Sequence, residues 1–181
     1  MITYNESLST FYSHINQNII VDKVIEKLNI NVGASERRAF KNSLPAIANA
    51  LRNENICEDV QIGIEFRVPL TNKRVDFVIA GSDENDKDHI IVVELKQWEK
   101  VEHTDMAKIV SVEGRDHVHP SWQAYTYSST ISNFNEYIES NGVEIKPCAF
   151  LHNYDRHYHN EICNDFYKEA ITVAKPFIAD E

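Results

Sequence analysis

The chain has 181 residues, 43% hydrophobic and 25% charged, with 18 basic against 28 acidic side chains and a net charge of −10. That length suits one domain with a substantial core, and the composition is ordinary for a soluble globular protein. Five Gly and five Pro exclude low complexity, no apolar stretch approaches the roughly 20 residues of a membrane span, and the acidic excess counts against a binder that relies on phosphate contacts alone.

In chain order, Thr10 to Leu28 reads as a helix, with Phe11, Ile15, Ile20, Val24 and Leu28 near helical spacing. Asn29 to Ala34 is a loop containing Gly33, and Ser35 is a suitable N-cap for a helix carrying Phe40, Leu44, Ile47, Ala48 and Leu51 on one face. Pro45 inside that helix predicts a kink or a break. Val60 to Val68 alternates, with Val60, Ile62, Ile64, Phe66 and Val68 on one face and Glu65 on the other, as a half-buried strand does.

A turn over 69–73 leads into a return strand from Arg74 to Ala80, and Gly81 to Asp88 is a polar loop dense in acids. His89 to Lys96 has the Ile/Val run of a central strand covered on both faces. Met106 to Val112 is a fourth strand, and Pro120 opens a helix running to about Ser140. That helix places Trp122, Tyr125, Ile131, Phe134, Tyr137 and Ile138 for burial. Lys146 to Leu151 is a further strand, followed by a short helix near Asn164 to Val173. This order implies an α/β sandwich, a central mixed β-sheet flanked by helices. The parts are a helical N-terminal stretch over 1–55, a core over 56–151 and a tail over 152–181, within a single domain.

The chemistry concentrates between residues 74 and 96. Side chains alternate along a strand, so Glu94 and Lys96 project one way while Ile91, Val93 and Leu95 project the other. Asp76, 18 residues earlier on the neighbouring strand, completes a set of two acids and a lysine. Burying such charges without partners is unfavourable, which marks the place as a site. Mg²⁺ takes oxygen ligands and keeps several waters, so Asp76, Glu94 and the Leu95 carbonyl suffice to hold it. Lys96 is placed to serve the attacking water or the charge developing on a phosphate.

Asp76 followed by Glu94-Leu95-Lys96 resembles the core of the PD-(D/E)xK nuclease superfamily. Gln123-Ala124-Tyr125-Thr126-Tyr127 resembles the Gln-x-x-x-Tyr motif of its RecB-like branch, with both ends on one helix face. The phrases Glu65-Phe66-Arg67-Val68-Pro69, Glu94-Leu95-Lys96-Gln97-Trp98 and His119-Pro120-Ser121-Trp122-Gln123 are similar to the nuclease-like domain that precedes Schlafen-like helicase domains in bacterial proteins. The resemblance spans roughly Ser35 to Leu151 and, more weakly, Lys175-Pro176-Phe177; Val75 stands where the superfamily has its naming proline.

The resemblance implies a restriction-endonuclease-like fold and Mg²⁺- or Mn²⁺-dependent hydrolysis of DNA. It implies Asp76 and Glu94 as metal ligands and Lys96, Gln123 and Tyr127 as catalytic residues. The chain is then a fragment or a stand-alone version of a helicase-associated domain. A metal ion would supply the positive charge that the chain lacks. The alternative is an inactive module of the same fold that binds nucleic acid or a protein partner such as a helicase.

Other residues carry two readings. Glu36 resembles the early-helix glutamate that joins the metal shell in this superfamily, and it also suits a helix N-terminus. Glu65 fits a salt bridge better than a catalytic role. Cys148, His152, His157, His159 and Cys163 invite zinc, yet no close Cys-x-x-Cys pair is present. His117 and His119 read as ordinary loop histidines. Trp122 and Tyr125 read as core residues rather than base-stacking ones. Three cysteines at irregular spacing exclude a disulfide framework and fall short of the four thiolates of a typical iron–sulfur cluster. Met1 to Glu6 lacks the run of a signal peptide, so a cytoplasmic protein is the expectation.

Overall fold

The computed structural model describes residues 4–28, 32–52 and 56–179. Its main sheet has six strands in the order β1-β2-β3-β4-β7-β8. These are β1 (Tyr4–Ser7), β2 (Gln61–Arg67), β3 (Arg74–Ser82), β4 (Asp88–Lys96), β7 (Glu144–Leu151) and β8 (Lys175–Ile178). β1 through β4 pair antiparallel, whereas β7 runs parallel to β4 and β8 parallel to β7, so the sheet is mixed as expected. A separate hairpin joins β5 (Ile109–Val112) to β6 (Arg115–Val118). The helices are α1 (Leu8–Asn16), α2 (Ile20–Leu28), α3 (Ala34–Ala50), α4 (Pro120–Asn133), α5 (Glu136–Asn141), α6 (His159–Ile162) and α7 (Lys168–Val173).

Each sheet face has its own cover. On one, Phe11, Val24, Phe40, Leu44 and Ile47 of α1–α3 pack on Ile62, Ile64, Phe77 and Val93. On the other, Tyr127, Ile131 and Ile138 of α4 and α5 pack on Val75, Val78 and Val92. A third cluster gathers Val101, Val110, Leu151, Tyr154, Ile162 and Tyr167 beside the ends of β7 and β8. Among the described residues, no helix is long and apolar enough to cross a membrane.

Several expectations change in detail. The helix expected over Thr10 to Leu28 is two helices, broken where Asn18 takes a φ of 56°. The loop expected at Asn29 to Ala34 falls partly on residues 29–31, outside the described residues. Gly33, not Ser35, occupies the N-cap of α3, and α3 continues through Pro45. Phe40 and Leu44 before the proline, with Ile47 and Ala48 after it, are buried in one cluster, and this packing offsets the single lost backbone hydrogen bond. The expected strand near Met106 to Val112 forms only over Ile109–Val112, outside the main sheet. The helix expected to reach Ser140 ends at Asn133, and Asn135 caps α5, leaving Phe134 60% and Tyr137 61% exposed rather than buried.

The most consequential difference lies in β2 and β3. Ile62 and Ile64 pack with α1–α3, but Phe66 and Val68 pack on the α4 side. The partner strand changes face at the same level, with Phe77 in the first cluster and Val75 in the second. Pairing runs Ile64 to Phe77 and resumes at Phe66 to Val75, so Glu65 and Asp76 lie opposite each other at the crossover. Glu65 has a φ of 58° there, a left-handed conformation that costs a non-glycine residue roughly 1–3 kcal/mol. Strict alternation, which puts Ile62 through Val68 on one face, therefore fails at Glu65.

Candidate active site

Asp76 comes from β3, Glu94 and Lys96 from β4, and Gln123 and Tyr127 from α4; the fold brings all five together. Beyond the Phe77–Val93 pair, β3 and β4 no longer form ladder bonds. The freed Leu95 amide instead donates to Asp76 Oδ2 at 2.8 Å.

The α4 residues are aimed by an anchored helix start. His119 is fully buried, accepts the Ser121 amide at Nδ1 over 3.2 Å, and donates from Nε2 to the Ile162 carbonyl over 3.0 Å. Both contacts are met by one neutral tautomer, and burial lowers the pKa of the ring, although the Ile162 bond opposes this. Pro120 follows at the first helical position, where its missing N–H is harmless. One turn on, Gln123 and Tyr127 face the sheet.

Glu94 is 2% exposed. Its Oε1 accepts from Lys96 Nζ at 2.6 Å and from Gln123 Nε2 at 2.6 Å. Gln123 Nε2 also donates to the Tyr127 hydroxyl at 3.0 Å, and Lys96 Nζ donates to Gln123 Oε1 at 3.4 Å. An ammonium only donates and an ionised carboxylate only accepts, so these neighbours determine the orientation of the amide. Glu94 Oε2 is buried with no donor beside it, and the Glu94 and Asp76 carboxyls lie within hydrogen-bonding reach of each other, so only a shared proton or a bound cation can satisfy the pair.

The electrostatics follow from burial. Desolvation raises the Glu94 pKa, Asp76 raises it further, and Lys96 opposes both. Asp76 is likewise raised by desolvation, against the pull of Lys96 and the Leu95 amide. Burial pushes the Tyr127 phenol up to about 12, helped by Glu94.

Glu65 makes the salt bridge expected of it, with Arg74 as its partner. Arg74 Nε pairs with Glu65 Oε2 at 3.0 Å, and its Nη2 stands 3.8 Å from Glu36 Oε1. Glu65 is 7% exposed, and burial raises its pKa to about 7, against the Arg74 charge. Glu36 lies in the first turn of α3, as a helix N-terminus favours, yet it also borders a cleft of ≈ 330 Å³ with Glu65, Asp76, Lys96 and Trp98. Glu36 thus has the place of an acid at a helix N-terminus, beside the cleft and near Arg74.

A second network locks the end of β4. Gln97 Nε2 donates to the Ala39 carbonyl at 3.1 Å and to Ser43 Oγ at 3.2 Å. Ser43 Oγ stands 2.9 Å from His152 Nε2, and the His152 amide donates to the Lys96 carbonyl at 3.2 Å. Burial lowers the His152 pKa. Only the adjacency of Gln97 to Lys96 hinted at this arrangement in the sequence.

The zinc residues are dispersed. Cys148 packs on the α1–α3 cluster, His152 belongs to the Ser43 network, and His157 is exposed beside Asp155. Among the described residues, no group of three or more His, Cys, Asp and Glu is arranged to hold a metal ion; the site offers two acids with a backbone neighbour. Trp122 and Tyr125, expected in the core, are half-buried, their rings 5.1 Å apart and tilted by 41°, with Lys108 Nζ 3.6 Å from the centre of the Trp122 ring. No family model, curated protein or solved structure matches the chain.

Proposed function

We propose that the chain is a metal-dependent nuclease, a phosphodiester hydrolase acting on DNA in the manner of the PD-(D/E)xK superfamily that its motifs resemble. The observation that carries this reading is the orphaned, buried Glu94 Oε2 beside Asp76, with Lys96 and Gln123 holding the other oxygen. Hard oxygen donors suit Mg²⁺ or Mn²⁺. Asp76 and Glu94 would hold the ion. The Leu95 carbonyl is the third candidate, because a strand residue directs its N–H and C=O to the same side and the Leu95 N–H is directed at Asp76. When bound, such an ion supplies positive charge at the phosphate and makes water more acidic.

The chain's own groups do the rest. Lys96 is tethered by Glu94 and Gln123, which leaves its third proton for the attacking water or a non-bridging phosphate oxygen. Gln123 and Tyr127 keep the Glu94 carboxylate in one orientation. Hydrolysis adds water across one P–O bond, the hydroxyl going to phosphorus and the proton to the leaving oxygen. Cleavage of single- and double-stranded DNA in Mg²⁺ by wild type and Lys96→Ala tests the proposal. Equal cleavage by both proteins removes Lys96 from the mechanism.

The net charge of −10 favours a second reading, a non-catalytic module of the same fold that binds nucleic acid or a protein partner such as a helicase. Calorimetric titration with Mg²⁺ or Mn²⁺ separates the two. A folded protein that binds neither ion supports the module.

A further inference from the structure

Trp98 lies two residues beyond Lys96 and borders the same cleft as Asp76, Glu65 and Lys96. It is half-buried, with part of its ring packed against the cluster around Val101 and Val110. That packing limits the rotation of the side chain. Lys96 Nζ stands 5.2 Å from the ring centre and the His117 ring 5.3 Å away. In the β5–β6 hairpin, His117 pairs with Val110 and Arg115 with Val112, and both valines pack on the cluster that Trp98 joins. Cross-strand partners share a face, so the exposed Arg115 and His117 stand on the Trp98 side of the hairpin.

The cleft therefore combines a packed indole, flanked by a lysine and an imidazole, with the Asp76 carboxylate of the proposed site. We infer that Trp98 is a stacking platform for an unpaired base, so that the strand entering the cleft is single-stranded nucleic acid. The charge of the chain supports this choice. With a net charge of −10, the protein gains little from tracking a phosphate backbone. Stacking needs no net charge, and a duplex keeps its base faces covered. Trp122 is the weaker platform, because it does not border this cleft and Lys108 lies closer to its ring, at 3.6 Å, than Lys96 does to that of Trp98. The inference rests on the nuclease reading for the scissile phosphate but not for the stacking.

The chain has two tryptophans, so Trp122→Phe leaves Trp98 as the sole indole reporter. This variant is titrated in Ca²⁺ with a short oligo-dT, the matching oligo-rU and a DNA duplex of equal length. Oligo-dT is expected to quench Trp98 and to bind about tenfold more tightly than the duplex. Trp98→Leu retains apolar packing without an aromatic face and should weaken binding about tenfold, whereas Trp98→Tyr retains most of it. Quenching by oligo-rU as well assigns the platform to unpaired strands of either sugar. Equal binding of duplex and single strand, an unquenched Trp98, or wild-type binding by Trp98→Leu overturns the inference. Duplex cleavage in Mg²⁺ without quenching sinks the platform and leaves the nuclease standing. Quenching by single strands without cleavage of any substrate sinks the nuclease and leaves the platform.

Discussion

β4 carries a cluster of acids and cations at each end, and the two behave oppositely. At its start, His89 lies between Asp83 at 3.1 Å and Glu144 at 3.4 Å, with Lys87 beside Glu144, and water reaches all of them. There the His89 bond and two backbone amides lower the Asp83 pKa to about 2, and Lys146 and Lys87 lower that of Glu144. At its end, Glu94 and Asp76 are both raised, because removal from water outweighs the nearby lysine. Similar residue types gathered at the two ends of one strand give a solvated ion cluster at one end and a buried pair of acids at the other. Burial decides which, and only the buried end leaves a carboxylate oxygen unsatisfied.

The widest gap between the two ends should appear in cleavage. Lys96→Ala is expected to lower the DNA-cleavage rate about 10²–10³-fold, the scale for losing one preorganised donor, while Asp83→Asn leaves the rate unchanged. Comparable losses in both variants would erase the distinction.

Stability against pH should carry opposite signs. Raised folded-state pKa values at Glu94, Asp76 and Glu65 mean that their stabilising contribution is present in the protonated form, below the unfolded carboxylate range. It is lost as pH rises through the folded values, that of Glu65 being about 7. Between pH 5 and pH 8 this loss in the metal-free protein opposes the gain from the buried His119 and His152, whose pKa values are lowered. The acid contribution is therefore read as the difference in melting-temperature slope between the wild type and Glu94→Gln, the wild type being the more negative. The depressed Asp83 contributes above its unfolded value and loses that contribution only as pH falls toward about 2, so Asp83→Asn should leave the slope between pH 5 and 8 unaltered. Equal pH slopes in the wild type and Glu94→Gln would reverse the assignment.

Mg²⁺ at pH 8 should raise the melting temperature of the wild type, because ligands that bind only the native state stabilise it. Glu94→Gln should respond much less, and an equal response would place the ion elsewhere. The smallest effect is expected for Tyr127→Phe. It removes the hydroxyl that accepts from Gln123 but keeps the ring in its cluster. Cleavage should fall several-fold with the melting temperature nearly constant, as activity assays and calorimetry on the same preparation can check.

The reasons why some residues were legible and others were not are physical. Glu94 and Lys96 share a face because strand side chains alternate, and Gln123 and Tyr127 share one because a helix repeats every 3.6 residues. Both are local rules, and the contacts at 2.6 Å and 3.0 Å agree with them. The salt bridge of Glu65 was legible, but the change of face at Phe66 and Val68 was not, because a single left-handed φ of 58° at Glu65 reverses the alternation without changing the residue pattern around it. Arg74 and Trp98 escaped because their partners come from other elements. Ser43 and His152 are 109 residues apart, a separation that no periodicity encodes. Phe134 and Tyr137 were misplaced because the helix stops at Asn133, where an asparagine cap begins a new one.

The sequence by itself determined which strand and helix faces carry the acids, the lysine and the amide, because those faces depend on backbone periods a few residues long. Tertiary structure alone decided that Glu94 lies dry with one oxygen unpartnered, that Arg74 spans Glu36 and Glu65, and that Trp98 borders the cleft. Burial and long-range pairing belong to the packed whole, since water is excluded only when helices from distant parts of the chain close over both faces of the sheet.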